Sequence, residues 1–157
     1  MSRQGKLFFI TILAIVSVLI SPASAVEEKQ VFYEEGDFKI LATAAEAEKA
    51  NAAVGGVRPK VGDKISVHYR GTFDSGDEFD SSYKRGRPFT FEVGASRVIK
   101  CWDEAFLQLA KGMKAQLKCP SEYAYGKGGA GRIIPPDTPL NFEVELVSIN
   151  EEPPAPE

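Results

Sequence analysis

The chain has 157 residues, of which 43% are hydrophobic and 26% charged, and carries a formal charge of −3. Those fractions belong to an ordinary globular protein with one core and exclude a disordered or low-complexity chain. No block of Lys or Arg supplies a phosphate footprint, so nucleic acid is not an expected partner.

Arg3 and Lys6 precede an apolar run from Leu7 to Ile20, and Ala23-Ser24-Ala25 supplies the small-x-small pattern after which a signal peptidase cuts. The run falls short of the about 20 apolar residues a spanning helix needs. Residues 1–25 therefore read as a signal peptide, with no membrane segment left in a mature chain that starts at Val26. Removing Arg3 and Lys6 takes the formal charge from −3 to −5. Residues 26–60 read as an N-terminal extension. Within it, Val26 to Asp37 is charged and weakly periodic, which predicts a mobile lead-in, and Phe38 to Leu41 is a candidate first strand. Ala42 to Ala53 is rich in helix formers but lacks an apolar stripe, so it is either a short exposed helix or a solvated insertion. Gly55-Gly56 and Pro59 end it. The compact domain reads as 61–150, with 151–157 a flexible tail.

Ile65, Val67 and Tyr69 alternate as in a half-buried strand, and Phe89, Phe91 and Val93 repeat the pattern. Trp102, Ala105, Phe106 and Leu109 then fall on one face of a short helix that Gly112 can end in a left-handed cap. Alternation resumes at Ala115, Leu117 and Cys119, and again at Phe142, Val144 and Leu146. The expected class is α+β: an antiparallel β-sheet with one short amphipathic helix across it, the economical way to bury both apolar faces. Between Pro120 and Pro139 lies a connection with no periodicity, yet it carries Tyr123, Tyr125, Ile133 and Ile134. Disorder avoids aromatic and β-branched residues, so this segment reads as an ordered flap beside an apolar pocket.

The familiar chemistries fit poorly. Gly126 to Gly131 matches G-x-G-x-x-G, but Arg132-Ile133-Ile134-Pro135-Pro136 follows and cannot open the helix that a pyrophosphate needs. His68, the sole histidine, excludes a His-rich metal site and reads as a solvent-side strand residue. Asp74, Asp77, Glu78 and Asp80 lack the EF-hand register. Neither a metal nor a cofactor is expected. Asp80 stands apart because Phe79 and Ser81-Ser82 flank it.

In order along the chain come Val67-His68-Tyr69-Arg70-Gly71, Phe79-Asp80-Ser81-Ser82, Pro88-Phe89-x-Phe91, Val98-Ile99-x-x-Trp102, Tyr123-Ala124-Tyr125-Gly126, Ile133-Ile134-Pro135-Pro136 and Phe142-Glu143-Val144-Glu145-Leu146. This set closely resembles the FKBP-type peptidyl-prolyl cis-trans isomerases, from about Val61 to Ile149. The resemblance implies a twisted antiparallel β-sheet wrapped around one short helix, with the pocket between them. It also implies a rotamase that acts on proline-containing polypeptides, binds macrolide inhibitors and works as a monomer without cofactor.

Carried over by position, Trp102 is similar to the family's indole floor, with Tyr69, Phe79, Phe89, Val98, Ile99 and Phe142 as apolar walls. Ile99 also offers its backbone N–H to a bound carbonyl. Tyr125 matches the tyrosine whose hydroxyl bonds the ligand, Asp80 the acidic wall residue and Arg85 its basic neighbour, with Phe91 and Ile133 as further lining. Of these, Tyr125, Asp80, Trp102 and Phe142 are expected to matter most for catalysis. Three departures touch no pocket residue: Cys101 where many members carry Gly, Ala130 in the flap, and the Ala42 to Ala53 insertion.

An exported protein would assist the folding of other exported chains, in the periplasm, the ER lumen or outside the cell. The alternative function is the same fold used as a binding module or chaperone with weak or no isomerase activity. Export lets Cys101 and Cys119 pair as a disulfide, the preferred reading, with two buried free thiols as the other.

Overall fold

The computed structural model describes residues 28–49 and 56–151. The signal peptide read at 1–25 and the tail beyond Glu151 lie outside the described residues. Seven strands form one antiparallel sheet: β1 (Gln30–Glu35), β2 (Phe38–Ala42), β3 (Lys64–Thr72), β4 (Glu78–Ser81), β5 (Phe89–Glu92), β6 (Lys114–Cys119) and β7 (Leu140–Ile149). Their order is β1-β2-β6-β7-β3, after which β5 pairs with Lys64 to Val67 and β4 with Arg70 to Thr72 along the same edge of β3. The sequence-predicted alternation holds in three of its four segments; in the fourth Phe91 is buried, but Phe89 is exposed and Val93 is buried just past the end of β5. Ile65, Val67 and Tyr69 of β3, Ala115, Leu117 and Cys119 of β6, and Phe142, Val144 and Leu146 of β7 are all buried in one core.

Among the described residues two short α-helices, α1 (Ala44–Lys49) and α2 (Lys100–Phe106), join the sheet. α2 sends Cys101, Trp102, Ala105 and Phe106 into the core. It ends sooner than its apolar spacing predicts. Gly112 does take a positive φ of 79°, but it caps no helix: its N–H donates to Leu146 O on β7 at 2.7 Å, and Lys111 N–H donates to Val57 O at 2.8 Å. Those donors bond across the fold, so the segment after Phe106 follows its neighbours while Leu109, Ala110 and Met113 stay buried. Among the described residues no helix is long and apolar enough to cross a membrane.

The lead-in expected to be mobile is instead strand β1 from Gln30 onward. Gly36 and Asp37 form a two-residue turn that pairs Glu35 with Phe38, Gly36 at a φ of 60°, and such Gly-x turns match the twist of an antiparallel hairpin. β2 then pairs with β6 and buries Phe38, Ile40 and Ala42, so the sheet begins ahead of the Val61 boundary. Of the two readings for Ala42 to Ala53, the described part is an exposed helix from Ala44 onward, since Ala42 ends β2 and α1 buries no residue. Thr43 Oγ1 accepts the Glu46 N–H at 3.2 Å, while Glu46 and Lys49 reach the Lys114 N–H and the Gly112 carbonyl. Cys101 and Cys119 form a disulfide, Cα to Cα 5.8 Å, tying the first turn of α2 to the end of β6.

Candidate functional site

Trp102 stands at the centre of a cluster of rings. Tyr69, Phe142 and Phe106 meet it edge-on with centroids 4.8, 5.3 and 5.6 Å away, Phe91 lies tilted at 5.8 Å and Phe89 sits edge-on at 6.1 Å. These spacings fall within the range in which edge-to-face pairs contribute about 0.5–1.5 kcal/mol beyond area burial. The rings come from β3, β5, α2 and β7, so the sheet and helix together assemble the floor. Phe142 also meets Phe79 edge-on at 5.7 Å. Gly71 permits that approach, since a Cβ there would lie 2.6 Å from the Phe79 ring and 3.0 Å from that of Phe142. Among the described residues the indole Nε1–H of Trp102 is buried without a hydrogen-bond partner.

One wall is polar. The Tyr69 hydroxyl donates to Asp80, and Arg85 reaches both, Nη1 to Asp80 Oδ1 and Nη2 to the Tyr69 hydroxyl, each at 2.5 Å. The guanidinium also lies over the Tyr69 ring, 5.3 Å from its centroid. Burial raises the Asp80 carboxyl, but the Tyr69 hydroxyl and Arg85 outweigh it and hold the group below the ordinary carboxylate value. Burial and then Asp80 push the Tyr69 hydroxyl up, so it remains a proton donor at neutral pH. Ser82 anchors this wall: its buried Oγ accepts the Tyr69 N–H at 2.9 Å and contacts His68 Nδ1 at 2.9 Å. His68 itself stacks on Tyr83, centroids 4.6 Å apart, and belongs to that anchor.

Residues 55–147 match the family model described as FKBP-type peptidyl-prolyl cis-trans isomerase. The chain belongs to this family. A Rhizopus delemar protein named FK506-binding protein 1 is 53% identical over 92 residues, 59% of this chain and 85% of its own length. The Drosophila melanogaster peptidyl-prolyl cis-trans isomerase Fkbp12 is 47% identical over 95 residues, covering 60% and 88%. A Yarrowia lipolytica protein named FK506-binding protein 2 is 40% identical over 143 residues, 91% of this chain and 93% of its own.

The other residues expected at the site of this isomerase are less buried than the floor. Val98 and Ile99 are half-buried against the core, and Phe89 and Tyr125 are exposed at 39% and 43%. Burial, then the Asp80 charge, raises the Tyr125 hydroxyl, which keeps it protonated beside the polar wall. Ile133 is 63% exposed. The glycine run builds the flap's turns: Ala130 and Ile134 exchange hydrogen bonds at 2.8 and 3.1 Å, and the Asp137 N–H closes on Gly126 O at 2.9 Å. Ile99 caps the start of α2, its carbonyl accepting the Trp102 and Asp103 N–H groups. The Asp103 carboxylate in turn accepts the Gly94 and Ser96 N–H groups, each at 2.8 Å, and fixes the loop that delivers Val98 and Ile99.

Two rings join the cluster that sequence reasoning did not assign to the site. Phe106 backs Trp102 and Phe91, and Phe73 lies tilted 5.0 Å from Phe79. The alternation Ile65, Val67, Tyr69 runs on through Gly71 to Phe73, which is the signal that could have found it.

Proposed function

We propose that this isomerase rotates Xaa–Pro bonds of exported polypeptides by a non-covalent mechanism, in the pocket floored by Trp102. The observation that carries this reading is the ring cluster on Trp102 with the hydrogen-bonded wall of Tyr69, Asp80 and Arg85 beside it. Rotation makes and breaks no covalent bond. Its barrier of about 18–20 kcal/mol comes from amide resonance, which separates charge between nitrogen and oxygen. The twisted transition state loses that separation, so an apolar floor favours it over the planar amide. Lowering the barrier by about 7 kcal/mol speeds the step roughly 10⁵-fold.

In this reading Trp102 and Phe142 cradle the prolyl ring, with Tyr69, Phe79, Phe89, Phe91 and Val98 enclosing it. The Ile99 N–H and the protonated Tyr125 hydroxyl hold the flanking carbonyls, which spends binding energy on orientation. Asp80, kept ionised by Tyr69 and Arg85, is the polar limit of the site, and Ile133 closes from the flap. Phe142→Ala removes edge contacts to Trp102, Tyr69 and Phe79. We expect it to lower kcat/KM on a proline peptide at least about tenfold, a change of about 1.4 kcal/mol, with a native circular-dichroism spectrum. An unchanged rate in a folded variant refutes the assignment.

The relatives' names extend the reading to macrolides of the FK506 class, which would occupy the same pocket and compete with peptide. Export is supported by the Cys101–Cys119 bridge, since disulfides persist in oxidising compartments. Residues 1–25 would be the removed signal and 61–150 the isomerase unit. N-terminal sequencing of protein recovered from the exporting cell should begin at Val26, and a start at Met1 refutes cleavage.

A further inference from the structure

The segments that frame the pocket carry a charge opposite to that of the protein. Residues 79–100 and the flap, 120–139, together hold seven Lys or Arg against four acids, Asp80, Glu92, Glu122 and Asp137, in a chain whose net charge is −3. Asp80 is already engaged by Arg85. Four of those cations, Arg87, Arg97, Lys127 and Arg132, are exposed and make no ion pair among the described residues. Each sits one or two residues from a lining residue: Arg87 before Phe89, Arg97 before Val98, Lys127 after Tyr125 and Arg132 before Ile133. Elsewhere several cations are paired with acids, as in Lys39 with Glu34, Lys111 with Glu151 and Lys114 with Glu145.

Fixed charge of one sign around a cleft with apolar walls concentrates field at its mouth, and it acts on charges beyond direct contact. The floor is neutral and reads the prolyl residue, so selection among prolines falls to what enters beside it. We infer that the unpaired cations select polypeptide segments carrying Asp or Glu within a few residues of the Xaa–Pro bond, and disfavour segments carrying Lys or Arg there. This inference rests on the prolyl-pocket reading above and names its substrate class. Arginines suit the task because their planar guanidinium can meet a carboxylate with two donors.

The test compares three peptides sharing one Xaa–Pro core, flanked by paired Glu, Gln or Lys, with isomerisation read by exchange NMR so that no coupling protease intrudes. At low ionic strength we expect kcat/KM to fall in the order Glu, Gln, Lys, spanning about tenfold. In about 1 M salt, where the screening length is about 3 Å, the three values should converge. The Arg97→Glu/Arg132→Glu variant should erase or reverse the order, whereas Lys29→Glu/Lys118→Glu, with the same charge change away from the pocket segments, should keep it. The single variant Arg132→Gln, expected to narrow the span, serves if the double reversal fails to fold. Equal turnover of all three peptides at low salt overturns the inference while leaving the prolyl reading intact. If no peptide is isomerised, the prolyl reading fails, and fluorescence titration of the same peptides decides the charge inference: tighter binding of the Glu peptide upholds it and equal binding overturns it.

Discussion

Replacing both Cys101 and Cys119 by Ala tests how far the fold depends on its one cross-link. The bridge closes a loop across a sequence separation of 18, and the chain-entropy relation gives such a loop about 3 kcal/mol. Both cysteines are fully buried, so losing the two sulfurs also leaves small voids that cost about another 1 kcal/mol. We expect the double variant to be less stable by about 3–4 kcal/mol in urea unfolding followed by Trp102 fluorescence, and to melt roughly 10–20 °C lower. Mass spectrometry of the unfolded, unreduced wild type after alkylation should show no added alkyl group, and two after reduction. Uptake of two groups without reductant, or a double variant within about 1 kcal/mol of wild type with an unchanged denaturant slope, refutes the reasoning.

Because its neighbours hold Asp80 below the ordinary carboxylate value, its contribution is complete above that value and is lost as pH falls through the depressed one. A kcat/KM profile on a neutral peptide should therefore stay flat from neutral pH into the ordinary carboxylate range and decline only below it, and Asp80→Asn should remove that acid limb. Burial raises the Glu104 carboxyl despite the nearby Lys100, so the folded state binds a proton more readily than the unfolded chain. Stability is then lost as pH rises from the ordinary carboxylate value through the raised one. Glu104→Gln should melt higher than wild type at pH 7 and equally at the acid end, which thermal scans across pH would read. Gly129 has a φ of 62° and a ψ of −162°, and a Cβ there would lie 2.8 Å from the Pro135 carbonyl carbon. Gly129→Ala should cost about 1–3 kcal/mol in chemical unfolding and lower kcat/KM with it.

Strands with one buried face were legible in the sequence because a period of two leaves a clear trace, as in Ile65, Val67 and Tyr69. β1 was not read, although Gly36-Asp37 between Val31-Phe32-Tyr33 and Phe38-Lys39-Ile40 is a hairpin signal; the surrounding glutamates masked it. The end of α2 was illegible for a different reason. The Lys111 and Gly112 N–H groups, just past it, are claimed by Val57 and Leu146, partners far away in the chain that no local pattern reveals. The site shows the same divide. Trp102 at helical spacing with Phe106 reads as core, and only the ordered family motifs single it out. The triangle of Tyr69, Asp80 and Arg85 depends on β4 pairing with β3, which spacing does not predict.

A pocket that catalyses rotation must be rigid before the substrate arrives, or binding energy is consumed in ordering it. The flap root meets that condition from three directions. Phe38 of the N-terminal hairpin stacks on Tyr123 at 5.4 Å, the Lys100 ammonium at the head of α2 lies 3.9 Å from the same ring, and Cys119, just before the flap, is bonded to Cys101 beside Trp102. The hairpin that the sequence presents as an extension is thus a brace for the flap, joined to it through one aromatic ring. The clamp ends where the flap's own short-range bonds take over, at Ala130 and Ile134. Arg132 and Ile133 lie between those two residues on the exposed tip of the flap.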